Sequence, residues 1–175
     1  TKIMTAILAV ENSKMSEIVK TSRYAASQEP TKLYFKKGER FYMRDMLYSL
    51  LLPSHNDTAV AIAEHIGGNV QSFVNMMNEK ALSLGCNNTH FATPNGLDAG
   101  LDHYTTARDM AKIASYAWQS SQIRRVVKTR TRIIKNLKGK RYKLISTNRL
   151  LNERMAGVSG MKTGYTNKAG QCFVG

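Results

Sequence analysis

The chain reads as an α+β protein, a helical cluster packed on an antiparallel β-sheet. Three observations predict this. Apolar residues recur at helical spacing through most of the first half, from Ile3 to Leu84. Residues 130–145 read instead as a β-hairpin turning near Lys138-Gly139. Residues 161–174 read as strand, turn, strand. Helices first and strands later, within 175 residues, predict one domain over 1–175 rather than alternating βα units.

The elements follow in order. Residues 2–11 predict a helix with Ile3, Met4, Ile7 and Leu8 on one face. Residues 12–30 read as a connection. A short extended piece comes next, around Lys32 to Phe35, then a turn at Lys37-Gly38-Glu39. Met43 to Leu52 is a helix whose buried stripe is Met46, Leu47, Leu50 and Leu51, and Pro53 interrupts it. A second apolar helix, Asp57 to Ile66, ends at Gly67-Gly68, a C-cap signal. Val70, Phe73, Val74, Met77, Ala81 and Leu84 keep helical spacing until Gly85. Thr106 and Asp109 are spaced as a capping box for a helix running to Trp118.

Composition bounds the class. Apolar residues make up 42% of the chain, enough for a packed core and too many for a disordered one. No apolar run approaches the roughly 20 residues of a membrane span. No basic-then-apolar secretion signal opens the chain. The first and last residues both fall inside predicted elements, so truncation is expected at both ends. The net charge is +14, from 26 basic and 12 acidic residues. The excess is concentrated: residues 110–152 hold no Asp or Glu, yet run from Lys112 to Arg149 with cations throughout. Such a strip reads first as a solvated hairpin, or as a face for an anionic wall or membrane surface. Nucleic acid is excluded as a partner, because no nucleic-acid motif or interleaved aromatic series accompanies the charge. Cys86 and Cys172 lie far apart and in no metal-ligand spacing; both read as small, part-buried side chains, with a disulfide as the alternative.

Two short motifs carry chemistry. Ser-x-Asn occurs twice, at Ser54-His55-Asn56 and at Ser146-Thr147-Asn148. Roughly half of chains this long contain one by chance. Context favours the first, which sits at the break between two apolar helices, where a loop can hold side chains at a cleft edge. The second lies in a basic stretch with nothing apolar to organise it. Lys162-Thr163-Gly164 is rarer and opens the final strand. Ser159-Gly160-Met161-Lys162 is the one complete Ser-x-x-Lys, but Gly160 disfavours the helix that such a nucleophile motif needs.

The chain resembles the D-alanyl-D-alanine carboxypeptidases, low-molecular-mass penicillin-binding proteins of the Ser-x-x-Lys acyltransferase superfamily. The resemblance rests on Thr1-Lys2-Ile3-Met4-Thr5-Ala6, Ser54-His55-Asn56-Asp57-Thr58-Ala59 and Ala63-Glu64-His65-Ile66-Gly67-Gly68. It continues through Phe91-Ala92-Thr93-Pro94-Asn95-Gly96-Leu97, the stretch His103 to Ala111, and Gly160-Met161-Lys162-Thr163-Gly164-Tyr165-Thr166. It therefore runs through nearly the whole chain. It implies the penicillin-binding protein / β-lactamase-like transpeptidase fold.

The resemblance also implies roles. The nucleophilic serine would stand three residues before Lys2, hence two positions before Thr1, so residues 1–175 alone are expected to be inactive. The i, i+3 spacing puts amine and hydroxyl on one helix face. Lys2, as the base, must be neutral, which from an ordinary pKa of about 10.4 costs roughly 4.6 kcal/mol at pH 7 unless burial and a second cation, Lys162, lower it. Lys162 and Thr163 would hold the free carboxylate of a peptide ending in D-Ala-D-Ala. Gly164 would let the strand approach the substrate backbone, and the Tyr165 backbone N–H would be an oxyanion donor. Ser54 would relay a proton to the leaving amine; Asn56 would bind the substrate amide and help hold Lys2. His103 is expected to make a structural hydrogen bond. The implied partners are that peptide and β-lactam antibiotics, with no metal or cofactor. The implied location is extracytoplasmic, in the bacterial cell envelope, with peripheral membrane association through a C-terminal segment outside this chain.

Two rivals stand beside this. A class A β-lactamase needs a glutamate in Glu-x-x-Leu-Asn; the nearest match, Asn148 to Asn152, has asparagine there and comes far too late after Ser54. A non-catalytic penicillin- or peptidoglycan-binding module is the alternative function. Strands outside the two ends would leave part of the core uncovered, predicting that the stretch alone is poorly stable.

Overall fold

The computed structural model describes residues 1–97, 100 and 102–175. The chain runs through α1 (Lys2–Asn12), β1 (Ile18–Lys20), α2 (Arg23–Ala26), β2 (Arg40–Tyr42), α3 (Met43–Leu51), α4 (Asn56–Gly67) and α5 (Val70–Ser83). It continues through α6 (Ala107–Gln119), α7 (Ser121–Val127), β3 (Thr131–Lys135), β4 (Arg141–Ile145), α8 (Arg149–Asn152), β5 (Lys162–Thr166) and β6 (Gly170–Val174). The expected α+β class holds. The strands, however, form three separate two-stranded antiparallel pieces among the described residues, β1 with β2, β3 with β4, and β5 with β6, rather than one continuous sheet.

The hub is α1. The one-faced helix expected from Ile3, Met4, Ile7 and Leu8 is in fact enclosed on all sides, with every residue from Lys2 to Ala9 buried. It packs against α3, α4, α5, α6 and α7. A helix apolar all round is a core helix, and small Ala6 and Ala9, both 0% exposed, allow that close approach. Around it lie Phe41, Met46, Leu50, Ile62, Phe73 and Met77, all fully buried.

Most expected helices sit where the periodicity puts them. Gly68 closes α4 with φ +73°, a left-handed cap that glycine adopts without strain. Thr106 caps α6 by accepting from the Asp109 N–H. The capping box is only half made, because the Asp109 carboxylate turns instead to the Asn88 N–H and the Thr89 hydroxyl. The connection assigned to 12–30 contains β1 and α2. β1 is three residues long, and only its distant partner β2 makes it a strand, through Ile18↔Tyr42 to Lys20↔Arg40. The extended piece expected around Lys32 to Phe35 is broken at Tyr34, whose φ of +59° is left-handed; it has no strand partner, and the Leu33 and Tyr34 N–H groups both donate to the Asp57 carboxylate, at 3.0 Å each. Short α7 and α8 escaped sequence reading. No described helix is long and apolar enough to cross a membrane.

Candidate active site

Lys2 stands at the first turn of α1, so the burial of that helix carries its amine into the core; it is 9% exposed. Its Nζ donates to Asn56 Oδ1 at 2.7 Å and to the Asn95 carbonyl at 2.6 Å. One turn along α1, the Thr5 hydroxyl donates to the Pro94 carbonyl at 2.7 Å, which pins the 94–95 segment against the helix. Both partners of the amine are neutral amide oxygens. Burial therefore dominates and pulls the Lys2 pKa down to about 7; the charge of Lys162 lowers it further, while Asp57 opposes.

Ser54 lies in the break between α3 and α4. Its φ is +68°, a left-handed conformation that costs a non-glycine residue about 1–3 kcal/mol and persists only where neighbours hold it. Here the Thr31 hydroxyl donates to the Ser54 carbonyl at 3.0 Å, and the Asn56 N–H donates to the Thr31 carbonyl at 2.7 Å. The Asn56 side-chain amide donates to the Glu29 and Pro30 carbonyls, each at 3.0 Å. Both its hydrogens are thus committed. The expected contact from Asn56 to a substrate amide narrows to what Oδ1 can still accept. His55, between the two, faces Ser49 at 2.9 Å; burial, then Lys2, lowers its pKa to about 4, so it adds no charge near neutral pH.

The third component is β5. Lys162 is 7% exposed, donates to the Thr163 carbonyl at 2.7 Å, and has its pKa lowered to about 8 by burial. The Thr163 hydroxyl lies 2.5 Å from that of Thr147. At Gly164 an added Cβ would meet only the Cβ of Cys172, at an ordinary 3.7 Å, so the protein's own packing does not demand glycine there. The Tyr165 side chain is 69% exposed.

Lys2, Ser54, Lys162, Thr163, Gly164 and Tyr165 line one cleft of about 430 Å³, and Asn56 reaches it through Lys2. A more open groove of about 680 Å³, beside Glu64 and His65, contains none of the expected residues. His103 also lines the cleft. Its Nδ1 accepts from the Ala92 N–H at 3.0 Å, which puts the proton of the neutral ring on Nε2, 2.8 Å from the Thr1 hydroxyl. That is the structural hydrogen bond expected of it. Among the described residues, no group of three or more His, Cys, Asp or Glu is arranged to hold a metal.

Sequence reasoning overlooked three residues here. Asn95 acts through its backbone carbonyl, which no side-chain pattern announces. Thr147 was set aside with the second Ser-x-Asn, yet it touches the Lys-Thr-Gly strand. Cys172, expected to be part-buried, is exposed on the cleft wall because its strand pairs with β5 at Gly164; Cys86 is fully buried, and both are free thiols.

A paired-lysine cleft on a helical hub, with an antiparallel strand along one edge, defines a fold of the penicillin-binding class. The chain superposes on a penicillin-binding protein homologue from Mycobacterium tuberculosis with a TM-score of 0.90 at 30% identity, covering 97% of this chain and 64% of that one. On the DD-transpeptidase of Streptomyces K15 the TM-score is 0.87 at 33% identity, covering 97% and 71%. The chain belongs to the D-alanyl-D-alanine carboxypeptidase family, whose model matches residues 1–175. It is 38% identical to the D-alanyl-D-alanine carboxypeptidase DacF of Bacillus subtilis over 99% of this chain and 45% of that protein. It is 35% identical to the D-alanyl-D-alanine carboxypeptidase of a Streptomyces strain, over 99% and 65%. The chain thus spans about half to two thirds of the length of these curated relatives.

Proposed function

We propose that the whole protein is a serine-type D-Ala-D-Ala carboxypeptidase, of which residues 1–175 are a part of one transpeptidase-like catalytic domain. It removes the terminal D-alanine from peptidoglycan stem peptides through an acyl-enzyme, and β-lactams trap it at that stage. Its place of work is extracytoplasmic, in the bacterial cell envelope. The observation that carries this reading is the Lys2 amine, buried and hydrogen-bonded to two neutral oxygens, with a pKa brought down to about 7. An amine so poised is half neutral at pH 7 and can take a proton.

In this mechanism the nucleophile is the serine two positions before Thr1, on the helix face of Lys2. Neutral Lys2 accepts its proton as the oxygen attacks the carbonyl of the penultimate D-alanine. The Tyr165 N–H and the N–H of that serine stabilise the oxyanion. Ser54 passes a proton to the leaving amine, and D-alanine departs. Lys162, still largely protonated at pH 7, and Thr163 hold the substrate carboxylate. Water then releases the acyl group.

The test is incubation of the full-length protein with a fluorescent penicillin, followed by intact mass and peptide mapping. A stoichiometric adduct on the serine preceding Lys2, abolished in Lys2→Ala, is the expected result. No adduct on the full-length protein would leave a non-catalytic peptidoglycan-binding module as the better account.

A further inference from the structure

We propose that Thr147 is a positioning residue for substrate recognition: its hydroxyl donates a hydrogen bond to the Thr163 oxygen, leaving the Thr163 O–H to donate to the substrate carboxylate. This rests on the assignment of that carboxylate to Lys162 and Thr163.

The geometry is specific. The Thr147 N–H donates to the Leu52 carbonyl at 3.0 Å, and the Thr147 hydroxyl lies 3.2 Å from the same oxygen. That hydroxyl is also 2.5 Å from the Thr163 hydroxyl. Leu52 is the C-cap of α3 and stands two residues before Ser54. Thr147 therefore joins the Ser54 loop to the Lys-Thr-Gly strand. Its backbone is held from both sides. Ser146 donates its N–H to Arg130 and accepts the Asn152 amide at 2.8 Å on its carbonyl. The Asn148 N–H donates to the Ser146 hydroxyl at 3.2 Å. Both neighbours are buried while Thr147 itself faces out.

The hydroxyl protons then decide what Thr163 can do. Each hydroxyl has one proton and two lone pairs. With the cleft empty, the Thr147 O–H donates to the Leu52 carbonyl and the Thr163 O–H donates to the Thr147 oxygen. In that arrangement Thr163 presents only lone pairs, which repel a carboxylate. When an anion enters, Thr163 turns its proton to it, and Thr147 turns from Leu52 to Thr163. The Leu52 carbonyl keeps the Thr147 N–H, so nothing buried is orphaned by the exchange. A side chain unable to donate at 147 would leave Thr163 without the donor that polarises its O–H.

The experiment compares wild type, Thr147→Val and Thr147→Ser in the full-length protein. D-alanine release is measured from a peptide ending in D-Ala-D-Ala with its carboxylate free or amidated, and binding of the free-carboxylate peptide is followed by NMR titration. Losing one neutral hydrogen bond predicts a rise in KM and Kd of roughly three- to tenfold for the free carboxylate in Thr147→Val. The kcat should stay within about twofold, Thr147→Ser should behave as wild type, and the amidated peptide should be indifferent to the substitution. Equal losses on both peptides, a fall confined to kcat, or a Thr147→Val protein identical to wild type would overturn the proposal. If wild type binds the peptide without turnover, the carboxypeptidase reading fails while the Kd comparison still decides the role of Thr147.

Discussion

Lys2 and Asn56, 54 positions apart, meet with the ammonium 2.7 Å from the side-chain oxygen, and the same asparagine spends both amide hydrogens on the Glu29 and Pro30 carbonyls. Asn56 thus fixes Lys2 without neutralising it. Asn56→Asp would place a carboxylate against the amine and raise the Lys2 pKa. At pH 7 acylation by penicillin should then fall about fivefold for the first unit of upward shift and about tenfold for each further unit, and recover as pH rises. A pH-rate profile with an unmoved acidic limb would contradict this.

In the proposed mechanism the two lysines set opposite limbs of activity. There Lys2 must be neutral, which it becomes above about 7, and Lys162 must be charged, which it remains below about 8. Acylation should therefore peak in a narrow band between them, with apparent values that belong to the pair. Lys162→Met removes a charge that depresses Lys2, so the acidic limb should move upward and affinity for carboxylate ligands should drop. Stopped-flow acylation across pH 5–10 reads both effects.

Folding stability should carry the same signature. In the unfolded chain the Lys2 amine titrates near 10.5; folded, at about 7. Between these values the unfolded state binds more protons, so stability rises with pH across the window and levels off below it. Lys162 adds a similar slope over a narrower window, from about 8 upward, and so a smaller total. Lys2→Met should flatten the dependence markedly. Urea titrations at pH 6 and pH 9 check it: equal wild-type midpoints, after correction for other groups, would mean the amine is not desolvated.

The basic hairpin divides into working and idle cations. Arg132 lies over the Tyr48 ring at 4.9 Å, and Lys140 pairs with Glu39 at 3.9 Å. Lys135, Arg141 and Lys143 share the opposite, exposed face with Ile133, as the register Ile133↔Lys143 and Lys135↔Arg141 requires. Arg132→Ala should cost about 0.5–1 kcal/mol. Reversing the three outer charges together should leave the melting temperature unchanged or higher, because self-repulsion in a +14 chain is relieved. Thermal melts at low and high salt distinguish the two sets.

The sequence by itself determined the helices with strong periodicity, the two later hairpins and the α+β class. Local rules suffice there: Pro53 and Gly68 punctuate, and apolar spacing orients each face. It also singled out Ser54 and Lys162 through local strings, and Lys2 through the family resemblance of the stretch Thr1 to Ala6. Only tertiary structure decided that α1 is enclosed on every side, since that depends on five helices converging on it. The same enclosure, rather than anything written next to Lys2, lowers its pKa. β1 exists because β2 lies beside it, and the left-handed turn at Tyr34 is held because a carboxylate 23–24 residues away takes the Leu33 and Tyr34 N–H groups. Asn95 joins the site through a carbonyl and Thr147 through a neighbour's hydroxyl, and neither has a pattern of its own. Residue type and spacing are local; desolvation, backbone acceptors and hydrogen-bond direction arise only when distant segments are packed together.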